Sequence, residues 1–150
     1  MVIIGSQALL ASHPDAPEAL LRSMEVDLYP LEAPEKADLI DGSIGELSPF
    51  HDAFGYYAHG VGVETAILPS SWRARCVRVD TEGAVGWCLS PVDLAISKLA
   101  AGRAKDIEFV GGMLEAGFLE TADVERAFSE LAPEAARTVC ATWEICARHR

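Results

Sequence analysis

The chain is short of base. Its 150 residues hold 12 Lys and Arg against 23 Asp and Glu, a formal net charge of −11. A general nucleic-acid coat needs clustered Lys and Arg against phosphate, so the composition argues against one. The chain also lacks any run close to the ~18 uninterrupted apolar residues of a membrane helix. No basic stretch followed by an apolar run opens it, so no signal peptide is expected and a cytoplasmic location is. The cysteines Cys76, Cys88, Cys140 and Cys146 include no CxxC pair and have no His at zinc-finger distance. They read as reduced thiols packed like small apolar groups, not as a disulfide frame.

What is present is enough for a core. Half the residues are hydrophobic, and the length suits a single domain over residues 1–150. The acid is unevenly spread. Residues 1–70 carry eleven acids against Arg22 and Lys36, a balance of −9, whereas residues 71–150 carry twelve acids against ten bases, a balance of −2. An acidic first half suits metal binding or, equally, solubility.

The periodicity changes along the chain. Val2 to Ile4 reads as a buried strand that ends at Gly5-Ser6, and residues 7–12 and 16–22 as short helical pieces. Met24 to Tyr29 alternates strictly, with Met24, Val26 and Leu28 on one face and Glu25, Asp27 and Tyr29 on the other. Residues 34–47 have helical spacing, residues 48–60 read as a long loop rich in aromatics and His, and residues 61–68 as a strand carrying Glu64. Strands over 75–79 and 85–89 flank a turn at DTEGA. Beyond Ser90-Pro91-Val92-Asp93, a helix start with Ser as cap and Pro in the first turn, the pattern is helical. The expected fold is α+β: a mixed sheet in residues 1–90 with flanking helices, then a helical C-terminal part over 91–150.

Acids are poor strand formers unless the face is wet or the carboxylates have a task. Glu25 and Asp27 share one face of one strand, close enough to share a cation. A Gly-Ser at the end of a strand permits close approach of a phosphate, and the amides of the helix that follows favour an anion. Two or three carboxylates on a rigid sheet suit Mg²⁺, a hard cation that keeps positions for phosphate oxygens. Together these parts suit phosphoryl or nucleotidyl transfer. The plainer reading, a solvated acidic face at a sheet edge, stands beside this one for the pair taken alone.

Gly5-Ser6 followed by Ser23-x-Glu25-x-Asp27 resembles the GS…DxD signature of the polymerase β-like nucleotidyltransferases. The segment from Asp93 to Asp106, with Lys98, Arg103 and Asp106, resembles the K…RxxD helical segment of the AbiEii-type toxin nucleotidyltransferases of toxin–antitoxin and phage-defence systems. GSQALL and FHDAFGYYAHGVGVETAILPSSW are similar to an uncharacterised branch of that group. The resemblance implies a nucleotidyltransferase-like fold and transfer of a nucleoside monophosphate from a nucleoside triphosphate. It implies nucleotide binding by Gly5, Ser6, Ser23 and Lys98, and catalytic roles for Glu25, Asp27, Lys98 and Asp106. The implied metal is Mg²⁺, with Mn²⁺ as a substitute, on Glu25 and Asp27. The acceptor could be tRNA, a protein or a small molecule; an antitoxin protein is an implied partner and a membrane is not. This sequence has Glu where Asp is usual at the first metal position, and its gap from Ser6 to Glu25 is longer than usual. No motif fixes a third carboxylate; Glu64 is selected as the third ligand because it falls mid-strand, with Asp41 and Asp52 as alternatives. A nucleotide- or partner-binding member without catalysis is the competing expectation.

Overall fold

A computed structural model describes residues 1–148. The helical part expected to reach 150 is followed through Arg148, and its last two residues lie outside the described residues. The chain forms two compact units: Met1–Ala66 with Cys76–Leu89, and Ile67–Arg75 with the chain from Ser90 onward.

The first unit is built on a five-stranded mixed sheet. Its strands are β1 (Val2–Ile3), β2 (Glu25–Tyr29), β3 (Tyr57–Gly60), β4 (Val77–Thr81) and β5 (Ala84–Cys88), in the order β3-β2-β1-β5-β4. β1 pairs antiparallel with β2 and parallel with β5, β2 pairs parallel with β3, and β4–β5 is a hairpin. Gly83 turns that hairpin at φ +81°, a backbone state that side chains resist. β1 is central and apolar, as a strand covered on both faces must be; Val2 and Ile4 are buried. A 3₁₀ helix over Ser6–Ala11 packs against β2, β4 and β5 through Ala8 and Leu9, both fully buried.

Two helices flank the β3 edge: α1 (Ala37–Ile44) and α2 (Pro49–Phe54). An edge strand leaves alternate N–H groups unpaired. Here Asp41 Oδ1 on α1 accepts from the Gly60 N–H at 3.0 Å. A Cβ at Gly60 would run into the Ala37 carbonyl, so glycine lets α1 approach this closely.

This region corrects the sequence reading. Residues 48–60 are not one loop, because Ser48 caps α2 by accepting from the His51 N–H and the chain then enters β3. The strand expected over residues 61–68 is absent; Val63–Thr65 is a 3₁₀ turn. Alternation within Val61–Leu68 is what a short exposed turn between Gly62 and Pro69 can also show. The strand itself lies in the aromatic segment, where half-buried Tyr57 and exposed His59 gave no apolar alternation to read.

The second unit is helical: α3 (Trp72–Arg75), α4 (Pro91–Ala101), α5 (Ala104–Glu115), α6 (Thr121–Ala127) and α7 (Pro133–Arg148). α4 packs against α5, α6 and α7. Leu94, Ile96, Leu99, Val110, Met113, Val124 and Val139 are all fully buried. The strand start read at Arg75 is instead the end of α3, and β4 begins two residues later. Among the described residues no helix is long and apolar enough to cross a membrane, and the four cysteines are free thiols.

Candidate functional site

The acidic pair is assembled by strand register. Glu25 and Asp27 share a face of β2 because they are two residues apart. In the parallel β2–β3 pair, Glu25 stands opposite Tyr57 and Asp27 opposite His59, so all four point to the same side. His59 Nδ1 lies 3.1 Å from Glu25 Oε1 and 3.8 Å from Asp27 Oδ1. One ligand atom from each of Glu25, Asp27 and His59 falls within 4.8 Å of the others. The three side chains remain partly open to solvent, at 40%, 28% and 50% exposure.

β1 closes the other side. The Ile4 N–H donates to the Asp27 carbonyl at 3.1 Å, and the chain then turns away at Gly5. Gly5 has an ordinary extended backbone (φ −84°, ψ −177°), so conformational freedom is not what requires it. A Cβ there would stand 2.7 Å from Asp27 Oδ2. The glycine thus leaves the Asp27 carboxylate its space. Ser6 opens the 3₁₀ helix directly after it. Ser23 Oγ is 3.2 Å from the Glu25 amide, which donates to it, so Ser23 fixes the entry to β2. Gln7 Nε2 donates to the Ser23 carbonyl at 2.5 Å and to the Leu21 carbonyl at 3.4 Å, tying the 3₁₀ helix to the same entry.

Glu25, Tyr57, Ala58 and His59 line an open cleft of ≈ 290 Å³ together with Asp41 and Glu46. The cleft is strongly anionic. Burial, then Glu25, Glu46 and Asp27, hold the Tyr57 hydroxyl above its ordinary range, since a phenolate here would face three carboxylates. A polyanion such as a triphosphate would meet the same repulsion unless a cation stood between it and the acids.

Glu64 is placed differently from the expectation. It sits on the exposed Val63–Thr65 turn, not mid-strand, and the donor set around Glu25 and Asp27 is completed by His59. Asp41 lines the cleft with one oxygen engaged by Gly60, and Asp52 lies exposed on α2. His59 was not singled out beside the acids because only the β2–β3 register brings it opposite Asp27. Its one sequence signal was a His in a segment crowded with aromatics.

Lys98 and Asp106 belong to the second unit. Asp106, 1% exposed, receives Arg103 Nε at 2.6 Å and has Lys98 Nζ at 3.5 Å. Lys98 Nζ also lies 5.7 Å from the Phe109 ring centroid. The buried carboxylate therefore holds both cations of the K…RxxD segment. The basic residues Arg73, Arg75 and Arg78 do not form a strip on one strand. Arg73 stacks on Trp72, Arg75 pairs with Asp93 and Glu130, and Arg78 pairs with Asp80.

The family described as "Nucleotidyltransferase of unknown function (DUF6036)" matches residues 1–140. The chain belongs to this family. The five-stranded mixed sheet with flanking helices agrees with a nucleotidyltransferase-like fold. Membership supports nucleotidyl transfer as the general function. No curated protein and no solved structure gives a significant match.

A divalent metal is implied by this class of chemistry, and the donor set fits one. Two carboxylates on adjacent same-face positions supply hard oxygen ligands and charge, and the cleft beside them is open enough to leave coordination positions for phosphate oxygens.

Proposed function

We propose that this protein is a metal-dependent nucleotidyltransferase that moves a nucleoside monophosphate from a nucleoside triphosphate to an acceptor hydroxyl or phosphate. The observation that carries the reading is the convergence of Glu25 and Asp27 on one sheet face, with Gly5 keeping the Asp27 carboxylate clear, in a chain of nucleotidyltransferase family. Glu25 and Asp27 hold the divalent cation, Mg²⁺ or Mn²⁺. When bound, that cation neutralises phosphate charge and favours the deprotonated acceptor. Without it, the anionic cleft excludes a triphosphate, so metal and nucleotide bind together.

The resemblance gives Gly5, Ser6 and Ser23 a place beside the phosphates. It gives Lys98 a nucleotide-binding role, with Asp106 as the group that holds it. It also favours a toxin of the AbiEii type, acting on tRNA or a protein with an antitoxin as partner. The net charge of −11 and the pairing of Arg75 and Arg78 with acids point away from a broad RNA-binding surface, so a protein or small-molecule acceptor ranks beside tRNA.

Thermal unfolding with each nucleoside triphosphate, with and without metal, tests the reading. A nucleotide at about a hundred times its dissociation constant should add about 2.7 kcal/mol. The expected result is stabilisation by at least one nucleotide only when Mg²⁺ or Mn²⁺ is present. Stabilisation without metal would contradict the assigned role of the acidic pair. Stabilisation without turnover on any acceptor class would favour a nucleotide-binding member that has lost catalysis.

A further inference from the structure

We infer that His59 is the third protein ligand of the cation held by Glu25 and Asp27, and that its imidazole tilts the site away from Mg²⁺ toward a divalent transition metal such as Mn²⁺. This inference rests on the nucleotidyltransferase reading for the presence of a metal, and adds which residue completes the site and which ion it selects.

β3 is an edge strand running parallel to β2, and the pairing Asp27↔His59 places the imidazole on the acidic face. Nδ1 faces the acids, 3.1 Å from Glu25 and 3.8 Å from Asp27, so the nitrogen is already in reach of both carboxylates. A cation entering that space replaces a contact between ring nitrogen and carboxylate with bonds to both. The three donor atoms lie within 4.8 Å of one another, a spread that one ion with bonds of roughly 2.0–2.2 Å can span with modest side-chain rotation. Of the cleft's other acids, Asp41 already accepts from the Gly60 N–H with one oxygen, and neither it nor Glu46 belongs to the group of donors within 4.8 Å of one another.

Donor chemistry then sets the preference. Mg²⁺ favours an all-oxygen octahedron and dehydrates reluctantly. Imidazole nitrogen suits first-row transition metals, whose affinity for such sites rises from Mn²⁺ to Cu²⁺ and falls back at Zn²⁺. An Asp-x-Asp pair completed by a third carboxylate would carry more charge and only oxygen. Glu25, Asp27 and His59 carry one negative charge fewer and one nitrogen.

The test uses the metals alone, without nucleotide. Mn²⁺ binding is followed by loss of the free-ion paramagnetic resonance signal, Mg²⁺ by competition, and the four imidazoles by nitrogen–proton spectra during a Zn²⁺ titration. The wild type is expected to prefer Mn²⁺ over Mg²⁺. His59→Asp should cut that preference by about tenfold, because it restores an all-oxygen set. His59→Ala should weaken Mn²⁺ binding with little effect on Mg²⁺. One imidazole should shift with Zn²⁺, and that signal should be missing in both variants. Position 59 is exposed on an edge strand, so both variants are expected to keep the wild-type unfolding midpoint. An unchanged Mn²⁺ to Mg²⁺ ratio in His59→Asp, or no shifted imidazole, would overturn the assignment. Metal-dependent transfer that persists in that case would leave the enzyme reading intact. Selective metal binding through His59 in a protein without any transfer would uphold the ligand and remove the catalytic reading.

Discussion

Asp27→Ala is expected to lose nucleotide turnover by on the order of 10³-fold while folding as the wild type does. The size follows from what the carboxylate does. Asp27 is the inner member of the acidic pair, with Gly5 against it and His59 opposite. Removing it leaves Glu25 as the one carboxylate of the pair to hold a cation against water, and several kcal/mol of charge stabilisation goes with the cation. Stability should be nearly untouched. The side chain is partly solvated and stands beside Glu25 on the same strand face, so its loss relieves repulsion there. Steady-state turnover with saturating Mg²⁺ or Mn²⁺, read beside a thermal melt, separates the two effects. A variant that keeps more than about a tenth of wild-type turnover would remove Asp27 from the site.

The second large effect concerns stability. Arg75→Ala is expected to cost about 3–5 kcal/mol, because it strands a buried charge. Asp93 is fully buried at the start of α4. Its Oδ1 takes Arg75 Nη2 at 2.6 Å, and its Oδ2 takes Arg75 Nε at 3.0 Å and the Ser90 hydroxyl at 2.6 Å. This is the forked geometry in which a guanidinium satisfies both oxygens. Arg75 also reaches Glu130 at 3.3 Å, and Glu130 in turn accepts from the Ser71 hydroxyl. One arginine therefore fastens α3 to both α4 and the Phe128–Glu130 turn. Neighbouring carboxylates raise the Arg75 pKa still further, so it is charged at every accessible pH. Ser71 and Arg75 lower that of Glu130, so its stabilising contribution is complete above the ordinary carboxylate range and is lost as pH falls from that range through the lowered value. The double variant Arg75→Met, Asp93→Leu should recover most of the loss, since a packed apolar pair carries no desolvation cost. Urea unfolding midpoints of the single and double variants check both statements. A loss below about 1 kcal/mol in Arg75→Ala would mean that water reaches Asp93.

The two sites differ in how legible they were in the sequence. β2 could be read because its alternation is strict and its acids are conspicuous among apolar residues. α4 could be read because Ser90-Pro91-x-Asp93 carries its own start signal, and Ser90 does cap it, accepting from the Asp93 N–H at 3.2 Å. β3 could not. Its four residues include one apolar side chain, a glycine required by the approach of α1, and two residues whose positions follow from pairing with β2. Register is a long-range property, and local periodicity does not encode it. That is why Glu64 was selected as mid-strand over residues 61–68, whereas it lies on a turn and the residue paired with Asp27 is His59. Arg75 was read as a strand residue for a related reason. Its partners Asp93 and Glu130 are 18 and 55 positions away, and neither leaves a mark on the sequence around it. Lys98 and Asp106 were singled out by the resemblance of their segment, and their contact lies within one helix–turn–helix stretch.

Nucleotidyl transfer is distinguished most directly by which phosphate of the nucleotide moves. The protein, with Mn²⁺ or Mg²⁺, should be incubated with nucleoside triphosphates labelled at either the α- or the γ-phosphorus, in the presence of tRNA, of protein extract and of a small-molecule pool. Nucleotidyl transfer predicts that α-label becomes attached to one acceptor class while γ-label leaves as pyrophosphate, and that Asp27→Ala does neither. Transfer of γ-label to an acceptor, or α-label transfer that survives Asp27→Ala, would contradict it.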